Sequence, residues 1–126
     1  MPTVRVIYRL GSATDDALTP RPGKDTTATV GQQPGLSVWE SGPKPGQKAQ
    51  KIDPSLLTTG GLAYFPDDPA TGGQAGHGVI ALVNAVGRVD QVLLEEWASY
   101  RGTGKRHRFT QAILDAIAEA DFRSTT

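Results

Sequence analysis

The chain has 126 residues, 13 Lys and Arg balanced by 13 Asp and Glu, and no cysteine. That length allows one domain with a real core, so residues 1–126 are expected to fold as a single unit. Charge balance removes the basic excess that announces nucleic-acid or anionic-membrane binding. The lack of thiols excludes disulfides, thiolate metal sites and a cysteine nucleophile.

No stretch approaches the ~20 apolar residues of a membrane span. The start, with Pro2 and Arg5 around a short alternating run, lacks the apolar core of a secretory signal, so a cytoplasmic protein is expected. Residues 3–10 alternate, with Val4, Val6, Tyr8 and Leu10 on one face and Arg5, Ile7 and Arg9 on the other, which predicts a strand. From Gly11 to Gly35 no period is sustained, and Pro20 and Pro22 stiffen a loop around Arg21. Leu36 to Glu40 reads as a short strand, and Ser41 to Gln47, with two prolines and two glycines, as an exposed turn.

Ala49 to Asp53 reads as a third strand, followed by a helical turn at Pro54 to Leu57 that Asp53 caps. Leu62 to Phe65 is a strand broken by Pro66, and Asp67 to Gly76 a flexible stretch. His77 to Val83 is the most apolar run and is placed at the centre of the sheet. Asp90 caps a helix through about Arg101 with Leu93, Leu94 and Trp97 as its apolar stripe, and Thr110 caps a last helix carrying Ile113, Leu114 and Ile117. Strands first and helices last give an α+β fold, a mostly antiparallel sheet with C-terminal helices.

Arg9 stands one step inside the end of the first strand, where a rigidly based guanidinium can grip phosphate or ribose oxygens. Thr19, Arg21, Lys24 and Asp25 lie on the stiffened loop, and its two cations can hold a pyrophosphate without a helix N-terminus. Alternation puts Gly35, Ser37 and Trp39 on one face, a surface able to take a flat ring and an adjoining ribose. His77 opens the most apolar strand after a glycine-rich approach, an address for a catalytic or substrate-holding histidine as well as for a structural one. Glu95 and Glu96 diverge by about 100° on a helix and cannot face one cleft together. Lys105, Arg106, His107 and Arg108 form the local basic cluster, which in a neutral chain reads more simply as a solvated loop than as a nucleic-acid patch. With two histidines, no zinc spacing and no Gly-rich phosphate loop, no metal site is expected.

Tyr8-Arg9, Gly35-Leu36-Ser37-Val38-Trp39 and Gly76-His77-Gly78-Val79-Ile80, in that order, resemble small bacterial toxins of the ADP-ribosyltransferase-like fold. These include type VI secretion effectors and C-terminal domains of polymorphic toxins. The resemblance covers residues 3 to about 100. It implies a split sheet holding NAD in a central cleft, Arg9 and Ser37 at the family's arginine and serine positions, and NAD contacts from Arg21, Lys24, Gly35 and Trp39. It also implies toxicity in a target cell, an intracellular acceptor, and an immunity protein that plugs the cleft. The family's third position, usually a glutamate, has no clean match, and Gln91, Glu95 and His77 are the candidates. Transferase activity, NAD hydrolysis and a catalytically silent binding fold therefore stay open. Two readings stand beside it: a non-enzymatic protein-binding module built on the Pro/Gly loops, and a metal-independent ribonuclease toxin using His77 or His107.

Overall fold

Short apolar runs bounded by glycine and proline turns pair into one antiparallel sheet. The computed structural model describes residues 6–123. In chain order these form β1 (Ile7–Leu10), β2 (Leu36–Trp39), β3 (Lys48–Ile52), two 3-10 turns (Pro54–Leu56 and Thr58–Gly60), β4 (Leu62–Pro66), a further 3-10 turn (Pro69–Thr71), β5 (His77–Leu82), α1 (Gln91–Ala98), α2 (Arg108–Ala116) and β6 (Ile117–Arg123). The sheet order is β4-β5-β2-β1-β3-β6, and all five pairings are antiparallel. The architecture is α+β.

The ladder is uneven along that order. β5 is joined to β4 by five register pairs and to β2 by four, and β1 to β3 by four. β1 and β2 share one, Tyr8 with Trp39. The halves β4-β5-β2 and β1-β3-β6 thus meet at a narrow seam.

One face of the sheet carries the core. Ile7, Leu36, Val38, Ile52, Ile80 and Leu82 pack against Leu94 and Trp97 of α1 and Phe109 and Ile113 of α2. In β1 this inverts the expected facing: Ile7 is fully buried and Leu10 exposed. Apolar residues occupy both sides of that run, so alternation alone does not choose between them; packing of Ile7 into the core does. Val4 and Arg5 lie outside the described residues. β5 is buried along its whole length, yet it is second from the edge, because β4 returns outside it as a hairpin partner.

Asp53 and Asp90 cap as expected, accepting from the amides of Ser55 (3.0 Å) and Leu93 (3.1 Å). α1 stops at Ala98, three residues before Arg101. Thr110 is not a cap. His107 fills that place, its Nδ1 accepting from the Phe109 amide at 3.2 Å, while Thr110 is buried inside α2 and accepts from the Trp97 indole N–H at 2.9 Å.

The last helix ends at Ala116, and the chain continues as β6 along the free edge of β3. That edge offers backbone partners that a longer exposed helix would leave unused. Buried Gln50 fixes the new strand, donating to Asp121 Oδ1 (2.9 Å) and accepting from the Asp121 amide (3.0 Å). The helices are therefore followed by a strand instead of closing the chain.

Thr110→Val keeps shape but orphans the buried indole N–H, which costs about 1–3 kcal/mol. Urea unfolding should show a lower midpoint with an unchanged slope.

Candidate functional site

At the seam, an arginine does what the ladder does elsewhere. Arg9, on the Ile7 side of β1, donates from Nε to the Ala17 carbonyl (2.9 Å) and from Nη1 to the Ser37 carbonyl (2.8 Å). It thereby joins β1, the turn at residues 14–19 and β2. Burial pulls its pKa down, the charge of Asp25 opposes this, and the charges of Arg101 and Arg21 add to the lowering; a guanidinium stays charged nonetheless.

β2 pairs with β5 so that Trp39 stands opposite His77 and Ser37 opposite Val79. Paired and alternate residues share a face, so Ser37, Trp39 and His77 lie together, as the alternation of β2 predicts for its own two residues. Ser37 Oγ is 2.5 Å from His77 Nε2. Trp39 meets the imidazole edge-on, ring centres 4.6 Å apart. On the far side of the ring, His77 Nδ1 is 2.8 Å from Asp67 Oδ2, and the Gln32 side-chain amide lies 3.0 Å from Nδ1 and 3.4 Å from the same carboxylate oxygen. The Gln74 amide also donates to Oδ2, at 3.1 Å. The side chains of His77 and Asp67 are only 8% and 2% exposed. A serine hydroxyl, an imidazole and a carboxylate in sequence form a route along which one proton can move.

Asp67 and Gln32 were not singled out in the sequence. The signal for Asp67 was the hairpin: β4 ends at Pro66 opposite Gly78, and the Asp67 amide then donates to the His77 carbonyl at 2.8 Å. Aligning the two strands places the carboxylate beside the histidine. Gln32 has no such local signal, since it arrives from a loop 45 positions away.

The loop preceding β2 roofs the site. Arg21 is paired with Asp25 through side chain (3.0 and 3.1 Å) and amide (2.7 Å), and the Asp25 carbonyl receives the Gly35 amide at 2.7 Å. Gly35 has φ +152°, and a Cβ there would stand 2.5 Å from the Ile80 carbonyl oxygen, so no side chain fits. Lys24, Gly35 and Ser37 border a hollow of about 60 Å³, and Gln32, Trp39, Asp67 and His77 one of about 300 Å³. Glu95 is elsewhere, with Gln91 on a cavity of about 570 Å³ between α1 and residues 22–28. Gln91 itself donates to the Thr26 carbonyl at 2.6 Å. Of the three candidates for the third position, His77 alone contacts Ser37.

Three members of the basic cluster have partners within the chain. Arg106 binds Asp15 and Gln111, both at 2.8 Å, Arg108 lies over the Phe109 ring, and His107 is buried against Glu96, Tyr100 and Phe109. Among the described residues no cluster of three or more His, Asp or Glu is placed to hold a metal ion, and no helix is long and apolar enough to cross a membrane. No protein-family model, curated protein or solved structure matches the chain.

Arg9→Met leaves the Ala17 and Ser37 carbonyls without their donor, at about 1–3 kcal/mol for each acceptor that stays dry. Denaturant titration should show a clear loss of stability. Burial alone would raise the Asp25 pKa, but the hydrogen bonds from the Arg21 side chain and amide, with the charges of Arg21 and Arg9, outweigh it and hold the pKa below the ordinary aspartate value. A depressed carboxylate pKa stabilises the fold above its unfolded value and loses that contribution as pH falls through the folded one. Asp25→Asn should therefore lower the melting temperature at neutral pH and flatten its decline below about pH 4.

Proposed function

We propose that this chain is a bacterial toxin or effector domain of the ADP-ribosyltransferase-like type, binding NAD as substrate and breaking its nicotinamide–ribose bond. The observation that carries the reading is the meeting of Arg9 from β1, Ser37 from β2 and His77 from β5 at a seam held by one register pair. These are the residues on which the resemblance rests, drawn from segments separated by 28 and 40 positions. A sheet that narrows between β1 and β2 is also what a split sheet around a ligand cleft requires.

Within that reading the roles divide by chemistry. Arg9 holds the seam and sets the height of Ser37. Trp39 offers an apolar wall beside His77 for the nicotinamide ring. Lys24, on the border of the Ser37 hollow, supplies positive charge to the diphosphate, and Arg21 joins it once a phosphate replaces Asp25 as its partner. Gln91 and Glu95 line the roomier cavity, which Thr27 separates from the Ser37 hollow, and they receive the remoter part of the dinucleotide. Leaving-group departure builds positive charge on the ribose, and the site meets it with the polar chain behind Ser37. In the transferase form of this reading the acceptor is an intracellular molecule, and a cognate immunity protein neutralises the domain by covering this cleft.

The internal engagement of His107, with Arg106 and Arg108 beside it, weighs against the ribonuclease alternative in its His107 form. Thermal-shift titration with NAD tests the proposal. A ligand at about a hundred times its Kd adds about 2.7 kcal/mol to the native state, on the order of 10 °C for a domain of this size. A flat titration, together with no nicotinamide release from labelled NAD in cell lysate, would sink it and favour the protein-binding module.

A further inference from the structure

The resemblance asks for a carboxylate at the third position, and β5 carries none there. A carboxylate stands one hydrogen bond further back. Asp67 Oδ2 receives the Gln74 amide and lies within reach of the Gln32 side-chain amide, so it is placed as an acceptor. A bare imidazole nitrogen 2.8 Å from such an oxygen would set two lone pairs against each other. His77 Nδ1 therefore carries the proton, and the lone pair of the neutral ring is at Nε2. Ser37, at 2.5 Å, donates its hydroxyl proton to that lone pair. Asp67 thus fixes the tautomer, Trp39 braces the ring, the Gln32 amide donates to Asp67 Oδ2 and not to the protonated Nδ1, and the basic nitrogen is aimed at the serine.

We propose that Ser37, His77 and Asp67 form a proton relay that activates water, so that the chain hydrolyses NAD, with Asp67 as a positioning residue. This rests on the NAD-cleaving reading above. The Ser37 hollow, about 60 Å³, has room for a water molecule beside the serine hydroxyl. In the reaction the water oxygen bonds to ribose C1′ as the bond from C1′ to the nicotinamide nitrogen breaks, its electron pair leaving on that nitrogen. One water proton passes to Ser37 Oγ while the Ser37 proton passes to His77 Nε2. The imidazolium, paired with Asp67, then releases its proton to solvent. The products are nicotinamide, ADP-ribose and one proton, and the relay returns to its starting state.

The charged groups around the relay are few. Asp67 faces His77 across the hairpin, and Lys24 and Asp25 of the roofing loop border the Ser37 hollow. Glu40, just past the end of β2, and Tyr64 of β4 are bonded to each other at 2.6 Å, and burial, Glu40 and the charge of Asp67 all push the Tyr64 pKa up.

The test is nicotinamide release by the purified chain with NAD and no added acceptor, across pH. The native chain should hydrolyse NAD. Asp67→Asn should lower kcat on the order of 10²-fold, leave the KM for NAD unchanged and move the acidic limb of the profile. His77→Gln should be at least as slow, whereas His77→Glu, which restores a carboxylate base, should recover activity with that limb moved to lower pH. Thermal shift with NAD checks that each variant folds and binds, and the low-field Nδ1–H proton resonance of His77 should be present in the native chain and lost in Asp67→Asn. If the native chain binds and hydrolyses NAD while both Asp67→Asn and His77→Gln keep native kcat, the relay is overturned and the NAD reading survives. If NAD is consumed only when a protein acceptor is supplied, water is the wrong acceptor. A native chain that neither binds nor cleaves NAD overturns both readings.

Discussion

A cation buried at a sheet seam has to find acceptors, and that requirement organises this fold. The Arg9 guanidinium sits where backbone pairing between β1 and β2 has dwindled to one register pair, and it takes the Ser37 carbonyl as one acceptor and the Ala17 carbonyl as another. Two consequences follow. The seam stays closed at the level of Ser37 with few ladder bonds, and the turn at residues 14–19 is drawn close enough for Leu18 to enter the core. Ser37 is then held from two directions, by Arg9 through its carbonyl and by β5 through its register with Val79. The hydroxyl that approaches His77 is positioned by backbone, which is stiffer than any side-chain contact.

The polar chain behind that hydroxyl depends on the hairpin β4-β5. Five register pairs fix where β5 begins, and the Asp67 amide extends the pairing to the His77 carbonyl. An imidazole with an almost fully enclosed carboxylate behind it and an indole against it has little freedom to rotate. Such enclosure costs desolvation, which is tolerated because Oδ2 collects amide donors from two separate segments. The carboxylate's other oxygen, Oδ1, is buried with no partner.

Much of this was legible locally. The alternation of Leu36, Ser37, Val38 and Trp39 correctly separated the core-facing pair from the other two. Asp53 and Asp90 announced their turns through a single side-chain bond two or three residues away. What failed needed the rest of the molecule. β1 carries apolar groups on both sides, so its facing waited on the core. Thr110 looks like a cap, but the indole of Trp97 claims its hydroxyl, and His107 does the capping. Ile117 continues the apolar stripe of α2 in sequence, and the open edge of β3 overrides it. Asp67 sat in a glycine-rich stretch whose composition spoke only of flexibility.

The roofing loop supplies most of the border of the hollow at Ser37. The hollows along it are bordered in turn by Thr27 and Gln32, side chains of the loop itself. Its root is held by a backbone bond from Gly35 to Asp25, and its tip by the Asp68 amide on the Gly31 carbonyl at 2.8 Å. At that tip the approach is so close that a Cβ on Gly31 would stand 2.2 Å from the Gly73 nitrogen. Between them the Arg21–Asp25 pair is half exposed on the arginine side, and such pairs contribute little, about 0–1 kcal/mol. The Gln91 bond to Thr26 is a single neutral contact. A phosphate group offers Arg21 a better acceptor than the one it gives up. Arg21 is therefore the most replaceable anchor of the loop, whereas Gly31 and Gly35 fix its tip and root.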